Sequence, residues 1–177
     1  MTAFTKSDIR RLFLALDEEL AREQTLGELY VVGGAVMCLA LDARDSTKDV
    51  DAFFRPTAVI RRAAAAVAAR LGVHEGWLND AVKGFLGPRS AFAPFLELAH
   101  LRVFVAEPHY LLAMKCVAMR LGEEFHDLDD VRYLLRHLNI NSSMDALAIV
   151  LRYFDEEHVP LKTRLALEEL LDCPSGP

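Results

Sequence analysis

Two glycines at the end of one apolar run and two aspartates at the start of another constrain this chain more than any other feature. Leu29-Tyr30-Val31-Val32 has the β-branched and aromatic make-up of a strand. Gly33-Gly34 at its end suits a turn where backbone must come close to another group, often a phosphate. The second run opens with Thr47-Lys48-Asp49-Val50-Asp51-Ala52-Phe53-Phe54. On extended backbone, residues i and i+2 point to the same side, about 6.6 Å apart. Two carboxylates at that separation repel by about 2.5 kcal/mol at an effective dielectric of about 20. A divalent cation between them, Mg²⁺ or Mn²⁺, turns that cost into a site for a nucleoside triphosphate. Asp-x-Asp alone is common on solvated strands and turns. Here the glycine turn precedes it by room enough for one helix and one return loop. The pattern points to phosphoryl or nucleotidyl transfer. Asp49 and Asp51 are its metal-binding and catalytic carboxylates, and Gly33 and Gly34 admit phosphates to backbone N–H groups.

Periodicity places these motifs in an α+β chain. Ile9, Leu12, Phe13, Leu16 and Leu20 recur at helical spacing and predict a helix over 5–23, with Ser7 as its N-cap. A strand is predicted over 29–32, an apolar helix over 34–42 and a strand over 49–54. A helix follows from Pro56 and Thr57 to Leu71, stopped by Gly72. Glycines and prolines between 73 and 94 mark loops around a short helix near 78–83. Strands are predicted over 95–98 and 101–105, then four helices near 107–121, 126–138, 144–157 and 160–172. This order predicts a small mixed sheet with flanking helices and a C-terminal helical bundle. Residues 1–107 form the predicted catalytic core, and 108–177 a helical region packed on it.

Length and charge fit that picture. A chain of 177 residues, 53% of them hydrophobic, can bury a core without staples. Cys38, Cys116 and Cys173 are odd in number and lack zinc-like spacing, which predicts small buried side chains in a reducing compartment. The first residues, Met1 to Lys6, lack the basic-then-apolar design of a signal peptide. The uncharged run from Leu29 to Leu41 is too short to span a membrane. A cytoplasmic protein without a membrane partner is expected. The net charge of −6 argues against non-specific coating of nucleic acid. A local basic groove built from Arg55, Arg61 and Arg62 remains compatible with it.

Other side chains carry two readings each. Lys115 is the one charged residue between Leu111 and Met119. Its stem can cover core edge while the ammonium reaches water, or the ammonium can meet triphosphate oxygens as a point charge. Asp127 and Asp130 share a helical face, either complementing a helix N-terminus or joining a site. Thr47 can touch a phosphate, cap the turn or simply favour the strand. Glu97 is the one acid in a strand-like setting between 81 and 106, a solvated strand-face residue or, as the resemblance given next implies, a third carboxylate. Arg61 or Arg62 can assist at the phosphates. The histidines show no metal-ligand spacing.

The stretch Val31-Val32-Gly33-Gly34-Ala35 with Ser46-Thr47-Lys48-Asp49-Val50-Asp51-Ala52-Phe53 resembles the active-site signature of the DNA polymerase β-like nucleotidyltransferase superfamily. More narrowly, the chain resembles the AbiEii/MenT-like toxin nucleotidyltransferases. Glu107 to Lys115, followed by His126-Asp127-Leu128-Asp129-Asp130-Val131, is similar to that group's helical lysine and following Asp-x-x-Asp helix. The resemblance covers residues 29 to about 135. It implies a metal-dependent transfer of a nucleoside monophosphate from a triphosphate to an acceptor hydroxyl. It also implies tRNA 3′ ends as acceptor, a cognate antitoxin as partner, and active-site roles for Lys115 and Asp127. A non-catalytic nucleotide- or partner-binding module of the same fold, or an enzyme that nucleotidylates protein, is the alternative.

Overall fold

The computed structural model describes residues 3–80, 86–87, 89–119 and 127–172. Contacts divide the chain into two compact units, Met1–Gly84 with Phe92–Ala106, and Phe85–Ala91 with Glu107–Pro177. The fold is α+β, as the periodicity predicts.

In the first unit, strand β1 (Phe4–Thr5) leads directly into helix α1 (Lys6–Arg22). Thr5, not Ser7, is the N-cap: the Asp8 backbone N–H donates to Thr5 Oγ1 at 3.3 Å and the Thr5 N–H donates to Asp8 Oδ2 at 2.9 Å. This reciprocal box satisfies two donors that a helix start leaves open, and a Ser7 cap would forfeit one of them. Strand β2 (Gly27–Val31), helix α2 (Gly33–Leu39), strands β3 (Ser46–Thr47) and β4 (Val50–Arg55), and helix α3 (Thr57–Leu71) follow. Gly72 closes α3 in the left-handed conformation, with φ +67°. Strands β5 (Leu78–Asn79), β6 (Phe92–Glu97) and β7 (Leu101–Ala106) complete the unit. Residues 78–79 are therefore strand where a short helix was expected, and 81–83 lie outside the described residues.

The main sheet has the order β5-β4-β2-β7-β6. β2 is its centre, antiparallel to β4 and parallel to β7. Alternation along β2, β4 and β7 separates the two faces. Leu29, Val31, Val50, Ala52, Phe54, Leu101 and Val103 are buried, along with the apolar side of α1 and with Ile60, Ala63 and Val67 of α3. At Gly27 the fit is tight: a Cβ would stand 2.7 Å from Leu20 Cδ1 of α1 and 3.2 Å from Ile60 Cδ1 of α3. Arg70 ties the two helices together, donating to the Ala15 carbonyl at 3.1 Å and to Glu18 at 2.8 Å. Trp77 is fully buried and donates from Nε1 to the Ala64 carbonyl at 3.0 Å. The opposite face carries Glu28, Tyr30, Asp51, Phe53, Arg55, Arg102 and Phe104, which are half-buried or exposed.

A second, two-stranded ribbon pairs β1 with β3, Phe4 opposite Thr47 and Thr5 opposite Ser46. Strands of two residues carry no readable alternation, so the sequence gives no hint of it.

In the second unit, helix α4 (Pro108–Ala118) buries Tyr110, Leu111, Leu112, Ala113, Met114 and Cys116. A helix apolar on nearly every side belongs at the centre of its layer. Helices α5 (Asp127–His137) and α6 (Ser143–Tyr153) pack on it, and α7 (Leu161–Leu171) packs on α6. Thr163 is fully buried and donates from Oγ1 to the Cys116 carbonyl at 2.6 Å, so its hydroxyl is satisfied. No described helix is long and apolar enough to cross a membrane.

Candidate functional site

The glycine turn and the second aspartate meet. Val31 ends β2 opposite Ala52, and the Val32 N–H donates to the Asp51 carbonyl at 2.9 Å. This carries Gly33 past Asp51 with φ +65°, in the left-handed region. A Cβ on Gly33 would lie 2.9 Å from Asp51 Oδ2. Backbone freedom and absence of a side chain are both needed at this position. Asp51 also pairs in register with Asn79 on β5, an amide that sequence patterning did not single out.

Asp49 stands one residue ahead of β4 and is half-buried. The backbone leading to it is braced from two directions. Thr47 is buried and donates from Oγ1 to the Asp49 carbonyl at 3.1 Å. The His74 ring donates from Nε2 to the Lys48 carbonyl at 3.0 Å while stacking on Phe4, ring centroids 5.4 Å apart. The β1–β3 ribbon holds the same segment through its backbone.

At Gly34 a different set converges. A Cβ there would lie 2.9 Å from Thr47 Oγ1 and 3.5 Å from Arg44 Nη1. A carboxylate thus faces the first glycine of the turn, and a hydroxyl and a guanidinium face the second. Arg44 was not among the residues singled out from the sequence, because it lies in a polar link with no periodic signal.

Arg61 lies on α3 with its guanidinium 2.5 Å from Asp80, the residue after Asn79, and Arg62 is 2.6 Å from Glu23. Glu97 pairs in register with Arg102, which aligns with Glu28 and so with Arg55, the last residue of β4. That is the opposite end of the sheet from Asp51. At that end, Arg55 donates to Glu28 at 2.6 Å and to the Tyr30 hydroxyl at 2.9 Å. The Arg55 hydrogen bond holds the Glu28 carboxyl below its ordinary range, and burial raises the Tyr30 hydroxyl above its own. Tyr30 and Phe104 stack with centroids 4.9 Å apart and planes 10° apart, so these rings spend faces on each other. A cavity of about 390 Å³ in the same unit is lined by Phe4, Asp8, Arg11, Leu12, Val73 and His74, and does not include Asp49, Asp51 or either glycine.

Lys115, Asp127 and Asp130 belong to the second unit. Lys115 Nζ is 2.6 Å from Asp130 Oδ2 and 3.6 Å from Asp127 Oδ1, with the three side chains 11%, 3% and 13% exposed. The ammonium is therefore matched by a buried carboxylate instead of reaching out to water. Removing the ammonium from such a desolvated cluster takes away the charge that both carboxylates face, a costly loss in the interior.

Among the described residues no group of three or more His, Cys, Asp or Glu side chains gathers as a metal cage. Mg²⁺ typically binds through only one or two carboxylates, with substrate phosphates and water completing its shell. Asp49 and Asp51 carry hard oxygen donors that could take such an ion, and the glycine beside Asp51 leaves room that a Cβ would fill. Comparison with protein-family models, curated proteins and solved structures returns no match.

Proposed function

We propose that the protein is a metal-dependent nucleotidyltransferase. The observation that carries this reading is the Asp51 carboxylate held 2.9 Å from the place a Gly33 side chain would occupy. Bare backbone beside a carboxylate suits a polyphosphate bound together with a cation. Asp49 and Asp51 would hold Mg²⁺ or Mn²⁺, which when bound supplies charge neutralisation at the phosphates.

The chain's own part is positioning. Gly33 and Gly34 let the triphosphate approach the backbone. Thr47 and His74 fix the segment that presents Asp49. An acceptor hydroxyl oxygen then attacks the α-phosphorus in line. The bond from that phosphorus to the bridging oxygen of the β-phosphate breaks, pyrophosphate leaves with the bonding pair, and the hydroxyl proton passes to solvent. Such a reaction depends mainly on orientation and electrostatics, so a small constellation suffices. Lys115 enters this proposal as the buried partner of Asp130.

The acceptor we propose is the 3′ end of tRNA, with the protein acting as the toxin of a toxin–antitoxin pair. A net charge of −6 favours a second acceptor class, protein hydroxyls, since RNA would need a confined basic surface. Incubation with Mg²⁺, each α-labelled nucleoside triphosphate, and either total tRNA or cell protein separates the two. Label in RNA supports the first, label in protein the second. Binding of nucleotide without transfer to either returns the chain to a binding module.

A further inference from the structure

We propose that the cavity beside α1 binds a free α-amino acid with an apolar side chain, and that this occupant steadies the segment presenting Asp49. The binding stands by itself; its effect at Asp49 rests on the transferase reading above. The cavity has a volume of about 390 Å³, at the lower end of the roughly 300–1,000 Å³ of small-molecule sites. Its make-up is theirs too, an apolar floor with a few polar groups. Phe4 and Leu12 are the floor, 4% and 2% exposed, and Val73 adds an apolar wall. Gly72 lines the same cavity, and a Cβ there would meet no atom within 4 Å, so that side is open.

Asp8 and Arg11 supply the charge. They stand three residues apart on α1 and so share a helical face, with β-carbons about 5–6 Å apart. Arg11 is exposed and makes no ion pair or hydrogen bond among the described residues. Asp8 accepts the Thr5 N–H and the Thr5 hydroxyl on Oδ2, at 2.9 and 2.6 Å, which leaves Oδ1 as an open acceptor. A guanidinium beside a carboxylate carries no net charge, so a polyphosphate or an RNA strand gains little there. A zwitterion matches both: its carboxylate meets the Arg11 fork and its ammonium meets Asp8 Oδ1. In an α-amino acid the two charged groups hang from one carbon, whose side chain is then free to enter the apolar floor.

His74 lines the cavity and also belongs to the candidate site. Its ring stacks on Phe4 with centroids 5.4 Å apart, and it hydrogen-bonds the Lys48 carbonyl at 3.0 Å, one residue before Asp49. Phe4 in turn lies opposite Thr47 in the β1–β3 ribbon. Two cavity side chains are therefore the groups that brace the backbone leading to Asp49. An occupant that holds Phe4 and His74 in this arrangement holds that backbone as well. Amino acid and Mg²⁺–nucleotide should each tighten binding of the other, by the same factor.

The test is equilibrium binding of phenylalanine and leucine to the full chain, by calorimetry and by the His74 and Phe4 ring signals in NMR. Both amino acids should saturate and shift those signals. Phenethylamine and 3-phenylpropionate, each lacking one charge, should bind about 10-fold more weakly or worse, as should phenylalanine to Arg11→Gln. Arg11→Lys keeps the charge without the fork and should fall between. Saturating phenylalanine should tighten binding of a nucleoside triphosphate with Mg²⁺ about 5-fold or more. No saturation up to about 10 mM, equal binding of the truncated analogues, wild-type affinity in Arg11→Gln, or shifts away from His74 and Phe4 would each overturn the site. Phenylalanine binding that leaves nucleotide affinity unchanged would overturn the coupling alone. A chain that binds phenylalanine but no Mg²⁺–nucleotide would overturn the transferase reading and the coupling, and leave the amino-acid site standing.

Discussion

Asp51 Oδ2 sits 2.9 Å from where a β-carbon on Gly33 would project, and Gly33 itself has φ +65°. Two independent requirements therefore fall on one glycine. Gly33→Ala should lose about 1–2 kcal/mol from the left-handed backbone alone. In a chain of this length that is a fall in Tm of about 2–8 °C. The added methyl also displaces the carboxylate, so transfer activity should be lost even at temperatures where the variant is folded. Circular dichroism melts beside a labelled-nucleotide assay check both parts.

Asp49→Asn and Asp51→Asn should behave differently. Neither side chain is in the buried core. Substitution outside the core typically changes stability by no more than about 0.5 kcal/mol, or about 2 °C in Tm. Transfer should be abolished in both. A sharp drop in Tm for both variants would make the pair structural.

For Lys115→Ala the snorkelling alternative predicts only a modest loss of stability. The buried pair predicts more. With Asp130 at 2.6 Å and 3% exposed, removing the ammonium takes away a charge that a buried carboxylate faces. The expected loss is about 3–5 kcal/mol. Adding Asp130→Asn should recover part of it, a non-additivity measurable in urea denaturation as a double-mutant cycle.

The pair Glu28–Arg55 predicts a pH dependence. Hydrogen bonding from Arg55 holds the folded Glu28 carboxyl below its ordinary 4.5. A group whose folded value is depressed binds its proton more readily when unfolded. Its contribution is thus complete above about 4.5 and lost as the pH falls through the lower folded value. Glu28→Gln should flatten the fall in Tm between pH 5 and pH 3, a range set by those ordinary carboxylate values of about 4. Superimposable profiles for wild type and variant would show that the ion pair is not coupled to folding.

Burial pushes the Cys116 thiol up to about 12, and it also raises Cys38. The thiolate is the reactive form. Cys116 should therefore resist a thiol reagent at pH 7 until the second unit unfolds. Peptide mapping after timed alkylation in buffer and in urea checks this.

Much of this arrangement was legible before any coordinates. The Gly-Gly turn and the Asp-x-Asp run gave away β2 and β4 because both strands alternate and both motifs punctuate them. α3 was bounded by Pro56 and Gly72, which act through local backbone restriction. The N-cap moved from Ser7 to Thr5, since only Thr5 has an acid three residues on to complete the box. What stayed hidden depends on partners distant in sequence. The β1–β3 ribbon is too short for periodicity, β5 is a two-residue strand defined by its neighbour β4, and Arg44 gains meaning only beside Gly34. Lys115 looked the same from sequence whether its charge met water, phosphate or Asp130.

The most direct test of the two-aspartate site is nucleoside triphosphate affinity measured across a Mg²⁺ titration, for wild type, Asp49→Asn and Asp51→Asn. Wild-type binding should tighten with Mg²⁺, and both variants should lose that dependence. Affinity indifferent to Mg²⁺, and equal in all three proteins, would contradict a cation shared by Asp49 and Asp51.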